Sequence, residues 1–286
     1  MTAFTSLRDN MSRASLKKPV AAGESLSNLP RRITAELVGG LTRRYSAVVS
    51  PTEPGLVAGT ALVHPASADP AGRWDILAVE GESADRGQPL VYIEGSAWEI
   101  SVAEDHVMGV LGFAGGVARR GSEIKAEAPA GLRVVCGGWK KLPAQLKPVL
   151  RAGLDVAGLS HRLLDGEFVY VGKNQVAMLG GVPAAVTAAR GLDNGPVSVQ
   201  VVDVAQALEA ADAGAEVVMV DTGRLADLEA VSSAMHACGA DVLLAYAGGV
   251  NATQLRRIAN LGAHIVDIGR AVLDAPLWDL HMEVVV

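Results

Sequence analysis

The feature that most constrains the fold is a repeat of apolar run, turn and amphipathic helix that starts near residue 132. The apolar runs are residues 132–138, 167–172, 196–202, 216–221, 241–249 and 264–269. Runs of this length with little charge are typical of strands covered on both faces. Four of the five segments between them end on a glycine suited to a helix C-cap. Successive units of this length predict a parallel sheet with right-handed crossovers, most simply an α/β barrel.

The preceding part of the chain, residues 33–98, has a different pattern. Short β-like runs alternate with turn signals, and the runs are residues 45–50, 56–63, 74–79 and 89–95. This alternation predicts a small antiparallel sheet. A helical stretch follows at residues 102–128, although its four closely spaced glycines weaken the helical signal.

Composition excludes several classes of protein. Every apolar run is broken by charge or glycine well before the ~20 residues that a membrane-spanning helix needs, so we expect a soluble protein. Residues 1–30 lack the apolar core of a secretory signal and predict a loosely ordered arm. Cys136 and Cys238 have neither disulfide nor metal-ligand spacing, and both are predicted to be buried fillers in a cytoplasmic protein. A net charge of −6 argues against a nucleic-acid partner.

Basic residues follow the ends of successive predicted strands. Lys140 and Lys141 follow the first run, His161 and Arg162 precede the second, and Lys173 follows the second. Barrels of this kind carry their chemistry on loops at the C-terminal ends of the strands. These cations are therefore predicted to converge on one anion.

Two glycine turns add a predicted phosphate site at the same end. Gly248 and Gly249 permit a tight turn with outward-pointing N–H groups, and Asn251 can cap the helix that follows. Gly269 and Arg270 are predicted to supply a similar turn and a cation. Asp221 ends the fourth run, where a carboxylate suits sugar hydroxyls or a Mg²⁺ ion.

Read in order, these segments resemble the quinolinate phosphoribosyltransferase family from about residue 33 to the C-terminus. The resemblance rests on EPGLVAG, VEGESADRGQPLVYIEG, GVLGFAGGVA, KKLP, SHRL, VGKNQV, VVMVDT, YAGGV and HIVDIGRAVL. It implies a sandwich domain with a central helix at 31–130 and an incomplete, open barrel at 131–272. The segment 273–286 would then return to the sandwich. It also implies a homodimer, or a higher even oligomer, whose sites borrow residues from the partner.

The implied reaction joins a pyridine-dicarboxylate nitrogen to C1 of phosphoribosyl pyrophosphate. Pyrophosphate and a carboxyl group are lost, giving nicotinate mononucleotide for NAD biosynthesis. Lys140, His161 and Arg162 coincide with family residues that meet carboxylates and phosphates. Asp221 coincides with the acid associated with ribose hydroxyls and Mg²⁺, and Gly248, Gly249 and Gly269 coincide with the 5′-phosphate loops.

Other family positions are replaced. Asp105 and Trp139 stand where the family has arginines, the sugar-binding glutamate is assigned to Val201, and a second glutamate falls at Ala245 or Tyr246. The acceptor pocket is assigned to Asp105, His106, Trp139 and Lys141. The alternative that Trp139 only fills the space left by an arginine stays open. Losing one partner of a buried charged hydrogen bond costs about 2–5 kcal/mol, so we expect an altered acceptor rather than quinolinate.

Three functional readings follow from the sequence. The first is a phosphoribosyltransferase that uses a phosphorylated sugar donor and a heteroaromatic acceptor, without a nucleic-acid or membrane partner. The second is a non-catalytic paralogue that keeps the phosphate site. The third is different chemistry on a phosphorylated small molecule, for which Asp105, His106 and Cys136 would be the residues to examine.

Overall fold

The computed structural model describes residues 29–64 and 72–285. The arm predicted for residues 1–30 therefore lies outside the described residues, except for its last two, which begin the first helix. The strands are β1 (Arg44–Pro51), β2 (Gly55–Leu56), β3 (Arg73–Ile76), β4 (Ser83–Ala84), β5 (Val91–Ser96), β6 (Arg133–Val135), β7 (Val169–Val171), β8 (Val197–Val201), β9 (Val217–Asp221), β10 (Leu243–Ala247), β11 (Ile265–Asp267) and β12 (Leu280–Val285).

The α-helices follow the same chain order. They are α1 (Leu29–Val38), α2 (Ala97–Glu127), α3 (Lys147–Val156), α4 (Lys173–Met178), α5 (Val182–Arg190), α6 (Val204–Asp212), α7 (Leu225–Cys238), α8 (Leu255–Asn260) and α9 (Arg270–Leu273). Among the described residues, no helix combines the length and apolar character needed to cross a membrane.

The first layer is an antiparallel sheet in the order β12-β1-β5-β3. Side chains alternate along its central strands, so that Ala47, Val49, Val91 and Ile93 are buried in one cluster with apolar residues of α2. The predicted strand at residues 56–63 is wrong beyond Leu56. Gly59 has φ +88°, and the Glu80 carboxylate accepts hydrogen bonds from the N–H groups of Gly59 and Thr60, which fixes a 3₁₀ turn instead.

The central helix α2 is continuous over 31 residues and begins five residues before the predicted stretch. It starts at a capping box, in which Ser96 Oγ accepts from Glu99 N and Glu99 Oε2 accepts from Ser96 N. Its glycines let the C-terminal segment approach closely. A Cβ on Gly115 would lie 2.6 Å from the Trp278 ring, and one on Gly116 would overlap the Pro276 carbonyl oxygen.

The second layer is a six-stranded parallel sheet in the order β6-β11-β10-β9-β8-β7. Pairing of the last strand, β11, with the first, β6, curls the sheet into a barrel. The segment at Ser160 continues the ring beside β6, since Ser160 O accepts from Cys136 N at 2.8 Å. In the described chain no pairing joins that segment to β7, so the barrel is open there. The predicted fold class, a sandwich with an open parallel barrel, is confirmed.

Alternation along the barrel strands separates an inner cluster from an outer one. Val217, Met219, Ala245 and Ile265 pack inside the barrel. Their neighbours on the same strands pack outward against the helices, and Tyr246 belongs to this outer set. Ala245 is therefore the inward residue of the two that sequence reasoning left open.

The two cysteines differ in environment. Cys136 is fully buried, as predicted. The prediction that Cys238 is also buried is wrong, because it is the last residue of α7, where the helix ends at Gly239 and the side chain is exposed.

After α9 the chain crosses back along α2. Trp278 N donates to Gly112 O, and Trp278 Nε1 donates to Glu53 O at 3.0 Å. The chain then forms β12, which pairs antiparallel with β1 at the edge of the first sheet. The C-terminal segment thus returns from the barrel and packs on the sandwich layer through one buried tryptophan.

Candidate active site

A cavity of about 800 Å³ opens at the C-terminal ends of the barrel strands. Its wall is built from the ends of β6, β7, β8, β9 and β11, the N-terminus of α4, one residue of α3 and the segment that follows α3. Six of the residues predicted from sequence line it: Trp139, Lys140, His161, Arg162, Lys173 and Asp221. The topology therefore brings the predicted cations together, as expected for the C-terminal face of a barrel.

Arg162 and His161 occupy one side of the cavity. Arg162 Nη2 donates to Gly166 O at 2.6 Å, and its guanidinium lies 5.1 Å from the Phe168 ring centroid. Burial, together with the positive charges of Arg151 and Arg162, lowers the pKa of His161. At neutral pH the His161 imidazole is therefore uncharged and can both donate and accept a hydrogen bond.

Gln200 connects two other parts of the wall, and sequence reasoning missed it. Its Nε2 donates to Asp221 Oδ2 at 2.9 Å, and its Oε1 accepts from Lys173 N at 3.0 Å. The assignment of the sugar-binding position to Val201 is corrected here, because Val201 packs outward in the helix-facing core. Alternation on β8 puts Gln200 on the inner face beside Met219.

Asp267 is a second carboxylate on the cavity wall that sequence reasoning missed. It ends β11, and its Oδ1 accepts from Gly137 N at 2.7 Å. Burial raises the pKa of Asp267, and the nearby Asp221 charge adds to this, while the Gly137 N–H group and Lys140 oppose the shift. Burial and the two aspartates also raise the pKa of Tyr170 to about 12. Two carboxyl groups, Asp221 and Asp267, therefore lie together at the ends of β9 and β11.

The predicted Mg²⁺ site stays a prediction. Among the described residues, no group of three or more His, Cys, Asp or Glu side chains could hold a metal ion. Asp221 and Asp267 nevertheless face one cavity. Mg²⁺ commonly keeps several waters and binds through one or two carboxylates plus substrate phosphates. The two aspartates fit an ion that arrives with a phosphorylated ligand.

The predicted phosphate turns lie beside the cavity wall, at the ends of β10 and β11. Gly248 and Gly249 have φ +110° and +74°, a region that favours glycine. A Cβ on Gly248 would overlap the backbone nitrogen of Gly223. The close-approach turn predicted at Gly269 stays a prediction; the φ of Gly269 is −78°, and a Cβ there would lie 3.5 Å from the Cα of Gly138.

The side chains of the other predicted phosphate residues have local partners. Asn251 precedes a 3₁₀ turn, and its Oδ1 accepts from Thr253 Oγ1 at 2.6 Å. Arg270 is exposed and pairs with Asp274 at 3.1 Å, one turn along α9. These contacts leave the backbone N–H groups of the glycine turns as the predicted phosphate contacts.

Three residues assigned to the acceptor pocket or to its alternative chemistry lie elsewhere. Asp105 is exposed on α2, and His106 Nε2 lies 3.1 Å from Leu62 O, in the sandwich layer. Lys141 is exposed outside the cavity wall. In a single chain these residues and buried Cys136 do not form one site, because Asp105 is exposed and His106 lies against Leu62 and Trp74 of the sandwich layer. Trp139 lines the cavity, with Lys147 Nζ 5.0 Å from its ring centroid.

Comparison with known proteins agrees with this architecture. The family model of the quinolinate phosphoribosyl transferase C-terminal domain matches residues 117–283. The nicotinate-nucleotide pyrophosphorylase [carboxylating] of Rattus norvegicus is 25% identical over 253 residues, covering 87% of this chain and 84% of the relative. The Homo sapiens protein of that name is 27% identical over 195 residues, covering 67% and 66%, which is slightly less than two thirds of the human chain.

Among solved structures, NadC from Streptococcus pyogenes superposes with a TM-score of 0.69 at 21% identity, covering 99% of this chain and 97% of that one. That likeness concerns the fold, and it extends over both layers. Because the family model spans more than half of the sequence, this chain belongs to the quinolinate phosphoribosyltransferase family.

Proposed function

We propose that this chain is a phosphoribosyltransferase that joins the ring nitrogen of an aromatic acceptor other than quinolinate to C1 of phosphoribosyl pyrophosphate. The observation that carries the proposal is one cavity whose wall combines lysine and arginine side chains with the hydrogen-bonded pair Gln200–Asp221. A phosphorylated sugar needs both features, since its phosphates attract cations and its hydroxyls donate to carboxylates.

In the proposed reaction the lone pair of the acceptor nitrogen forms a bond to C1. The bond between C1 and the pyrophosphate oxygen breaks, and pyrophosphate leaves with that electron pair. Lys140 and Arg162 stabilise the charge that develops on the leaving group, and Asp221, oriented by Gln200, binds ribose hydroxyls. The N–H groups at Gly248 and Gly249 hold the 5′-phosphate. Catalysis of this kind is positional and electrostatic.

A Mg²⁺ ion, when bound with the donor, would neutralise part of the diphosphate charge. Asp221 and Asp267 are the residues that would hold it. Gln200 keeps Asp221 in place in either case, because its amide group is fixed by Lys173 N on one side and by the carboxylate on the other.

The test is calorimetric titration with phosphoribosyl pyrophosphate and Mg²⁺, followed by an assay of pyrophosphate release in the presence of pyridine and other aromatic acids. We expect the wild-type chain to bind the donor and Asp221→Ala to weaken that binding at least about tenfold, since a charged hydrogen-bond partner is lost. Asp212→Ala is the matched control, because Asp212 is an exposed carboxylate at the opposite end of the barrel.

Donor affinity of Asp212→Ala should stay within twofold of wild type. A wild-type chain that binds no phosphoribosyl pyrophosphate would contradict the proposal and would favour a non-catalytic paralogue or different chemistry. Tight binding of quinolinate with release of pyrophosphate would keep the transferase assignment and contradict the altered acceptor.

A further inference from the structure

Arg151 is a cation on the cavity wall that neither the strand-end pattern nor the family resemblance singled out. It lies on α3, one turn before Asp155, and lines the cavity with Trp139 and His161. Its guanidinium carbon is 5.9 Å from the Trp139 ring centroid. It shares the wall with His161, whose pKa is lowered partly by the positive charge of Arg151.

Arg151 lacks a partner within the described chain. The Arg151 Nε is buried and has no hydrogen-bond acceptor. No carboxylate of the described residues forms an ion pair with the Arg151 guanidinium. Asp155, on the same face of α3, does not pair with it either. A buried guanidinium nitrogen without an acceptor carries a desolvation cost that a bound anion would remove.

Two other cations of the cavity have contacts within the chain. Arg162 donates to Gly166 O and lies over Phe168. Lys140 Nζ lies 6.0 Å from the Tyr170 ring centroid. Of the two arginines among the described residues that line the cavity, Arg151 is therefore the one without a hydrogen-bond acceptor.

The surroundings of Arg151 indicate the shape of its ligand. Trp139, Leu163 and Phe168 give this end of the cavity an aromatic and apolar wall. A planar ring fits such a wall, and a carboxylate on the ring can meet the guanidinium through two parallel hydrogen bonds. The sugar of the donor is proposed to lie at the Gln200–Asp221 pair, beside the backbone of Lys173.

We infer that Arg151 is a specificity-determining residue that binds the single carboxylate of a planar aromatic acid. The inference rests on the proposed function only in treating this ligand as the acceptor of the transferase. The single unengaged guanidinium accounts for one carboxylate. Trp139, at a position where a second guanidinium would be needed for a diacid, contributes an aromatic face instead.

The experiment is calorimetric titration of the full chain with pyridine-3-carboxylate, pyridine-3-carboxamide and pyridine-2,3-dicarboxylate. We expect the monoacid to bind at least tenfold more tightly than the amide, and the diacid to bind no more tightly than the monoacid. Arg151→Ala should lose about thirtyfold in affinity for the monoacid and no longer prefer it over the amide. Arg151→Lys should fall between the two, because it keeps the charge without the paired donors.

Lys147→Ala is the matched control, since Lys147 is also a cation near the Trp139 ring but does not line the cavity. Its affinity for the monoacid should stay within twofold of wild type. Thermal unfolding of each variant checks that the fold is kept. Should Arg151→Ala destabilise the chain, Arg151→Gln, which keeps most of the side-chain volume, gives the same comparison.

Three outcomes would overturn the inference: unchanged monoacid affinity in Arg151→Ala, an amide that binds as well as the acid, or a diacid at least tenfold tighter than the monoacid. Loss of phosphoribosyl pyrophosphate binding in Arg151→Ala, with acid binding retained, would also overturn it by assigning Arg151 to the donor. If the wild-type chain binds the acid through Arg151 but binds no donor, the proposed function fails and the inference on Arg151 holds.

Discussion

Asp267 sets the charge balance of the cavity at the scale of a single residue. Its carboxylate is held by Gly137 N–H, lies near Lys140 and shares the cavity with Asp221. Since two anions oppose the lysines and arginines, the cavity is less basic than its cations alone indicate. Anion binding then depends on whether each cation already has a hydrogen-bond or ion-pair partner in the chain. For this reason we expect the unpaired guanidinium of Arg151 to have a large effect on the affinity for an anion.

The two thiols should differ strongly in reactivity. Burial raises the pKa of Cys136 to about 11, whereas Cys238 is exposed. At pH 8 we expect a thiol reagent to modify Cys238 rapidly. Cys136 should react only on unfolding, because the thiolate is the reactive form and burial disfavours it. Mass spectrometry of the modified peptides checks this assignment, with Cys238→Ser as the control that should remove the fast phase.

The same shift predicts a pH dependence of stability. The folded-state pKa of Cys136 lies above the unfolded value of roughly 8.5, so its stabilising contribution is present below that pH and is lost as the pH rises towards 11. The free energy of unfolding should therefore fall more steeply above pH 9 in wild type than in Cys136→Ala. Equal slopes for the two proteins would contradict the assigned environment.

Site residues at strand ends could be predicted from sequence, and others could not, for a physical reason. Lys140, Lys173 and Asp221 directly follow apolar runs, so the barrel rule places them on the cavity. Arg151 lies inside a helix, where its spacing is that of an ordinary surface cation. Gln200 and Val201 are neighbours on β8, so their side chains point to opposite faces of the sheet. Which of the two faces the cavity depends on the register of β8 beside β9.

Helix α2 shows how glycine acts at the scale of an element. Gly109 is exposed, and a Cβ there would meet nothing within 4 Å, whereas a Cβ on Gly116 would overlap the Pro276 carbonyl. We expect Gly116→Ala to reduce the free energy of unfolding by about 1–3 kcal/mol. Gly109→Ala should raise it by roughly 0.5–1 kcal/mol, because alanine is the better helix former.

Denaturant unfolding measures the free energy of unfolding of both variants. Gly109→Ala is the control, since it makes the same substitution in the same helix. A stabilising Gly116→Ala would show that the C-terminal segment is not packed closely on the helix. The sequence weakened the prediction of α2 for the same reason, since propensity counts glycine as a cost and does not show the segment that packs against it. The capping box at Ser96 and Glu99 is the local signal that could have placed the helix start.

At the scale of the whole molecule, Trp278 packs the C-terminal segment, which returns from the barrel, onto the sandwich layer. It is 3% exposed, packs against Gly115, and hydrogen-bonds to Glu53 O through its indole. Replacing it with alanine should cost about 3–5 kcal/mol of stability by the usual cost of a buried tryptophan. The neighbouring Leu277 is 61% exposed, and Leu277→Ala should change stability by no more than about 0.5 kcal/mol.

Chemical denaturation, followed by tryptophan fluorescence and by circular dichroism, gives the free energies of unfolding of Trp278→Ala and Leu277→Ala. Coincident transitions in wild type and a separated pair of transitions in Trp278→Ala would show that attachment of the C-terminal segment to the sandwich couples the unfolding of the two layers. A Trp278→Ala protein as stable as Leu277→Ala would contradict the packing described.

The strands of the barrel could be predicted from sequence, whereas the opening of the barrel and the packing between the two layers could not be predicted from periodicity. Charge-poor runs spaced by amphipathic helices predict the parallel strands, because strands covered on both faces require apolar side chains throughout. The opening beside β7 was expected from the family resemblance rather than from periodicity, since the segment around Ser160 carries no strand pattern. The two layers meet where α3 packs on α2, with Gly153 against Ala114 and Val117, and periodicity does not report this packing.

The pairing of β12 with β1 has a consequence for how the molecule is made. On the ribosome, β1 emerges long before the strand that covers its edge, so the nascent sheet waits through synthesis of the entire barrel with one row of backbone groups unpaired. Contacts this distant in sequence form late and slowly. The newly made chain is therefore most exposed to unwanted strand exchange with its neighbours until its last strand arrives.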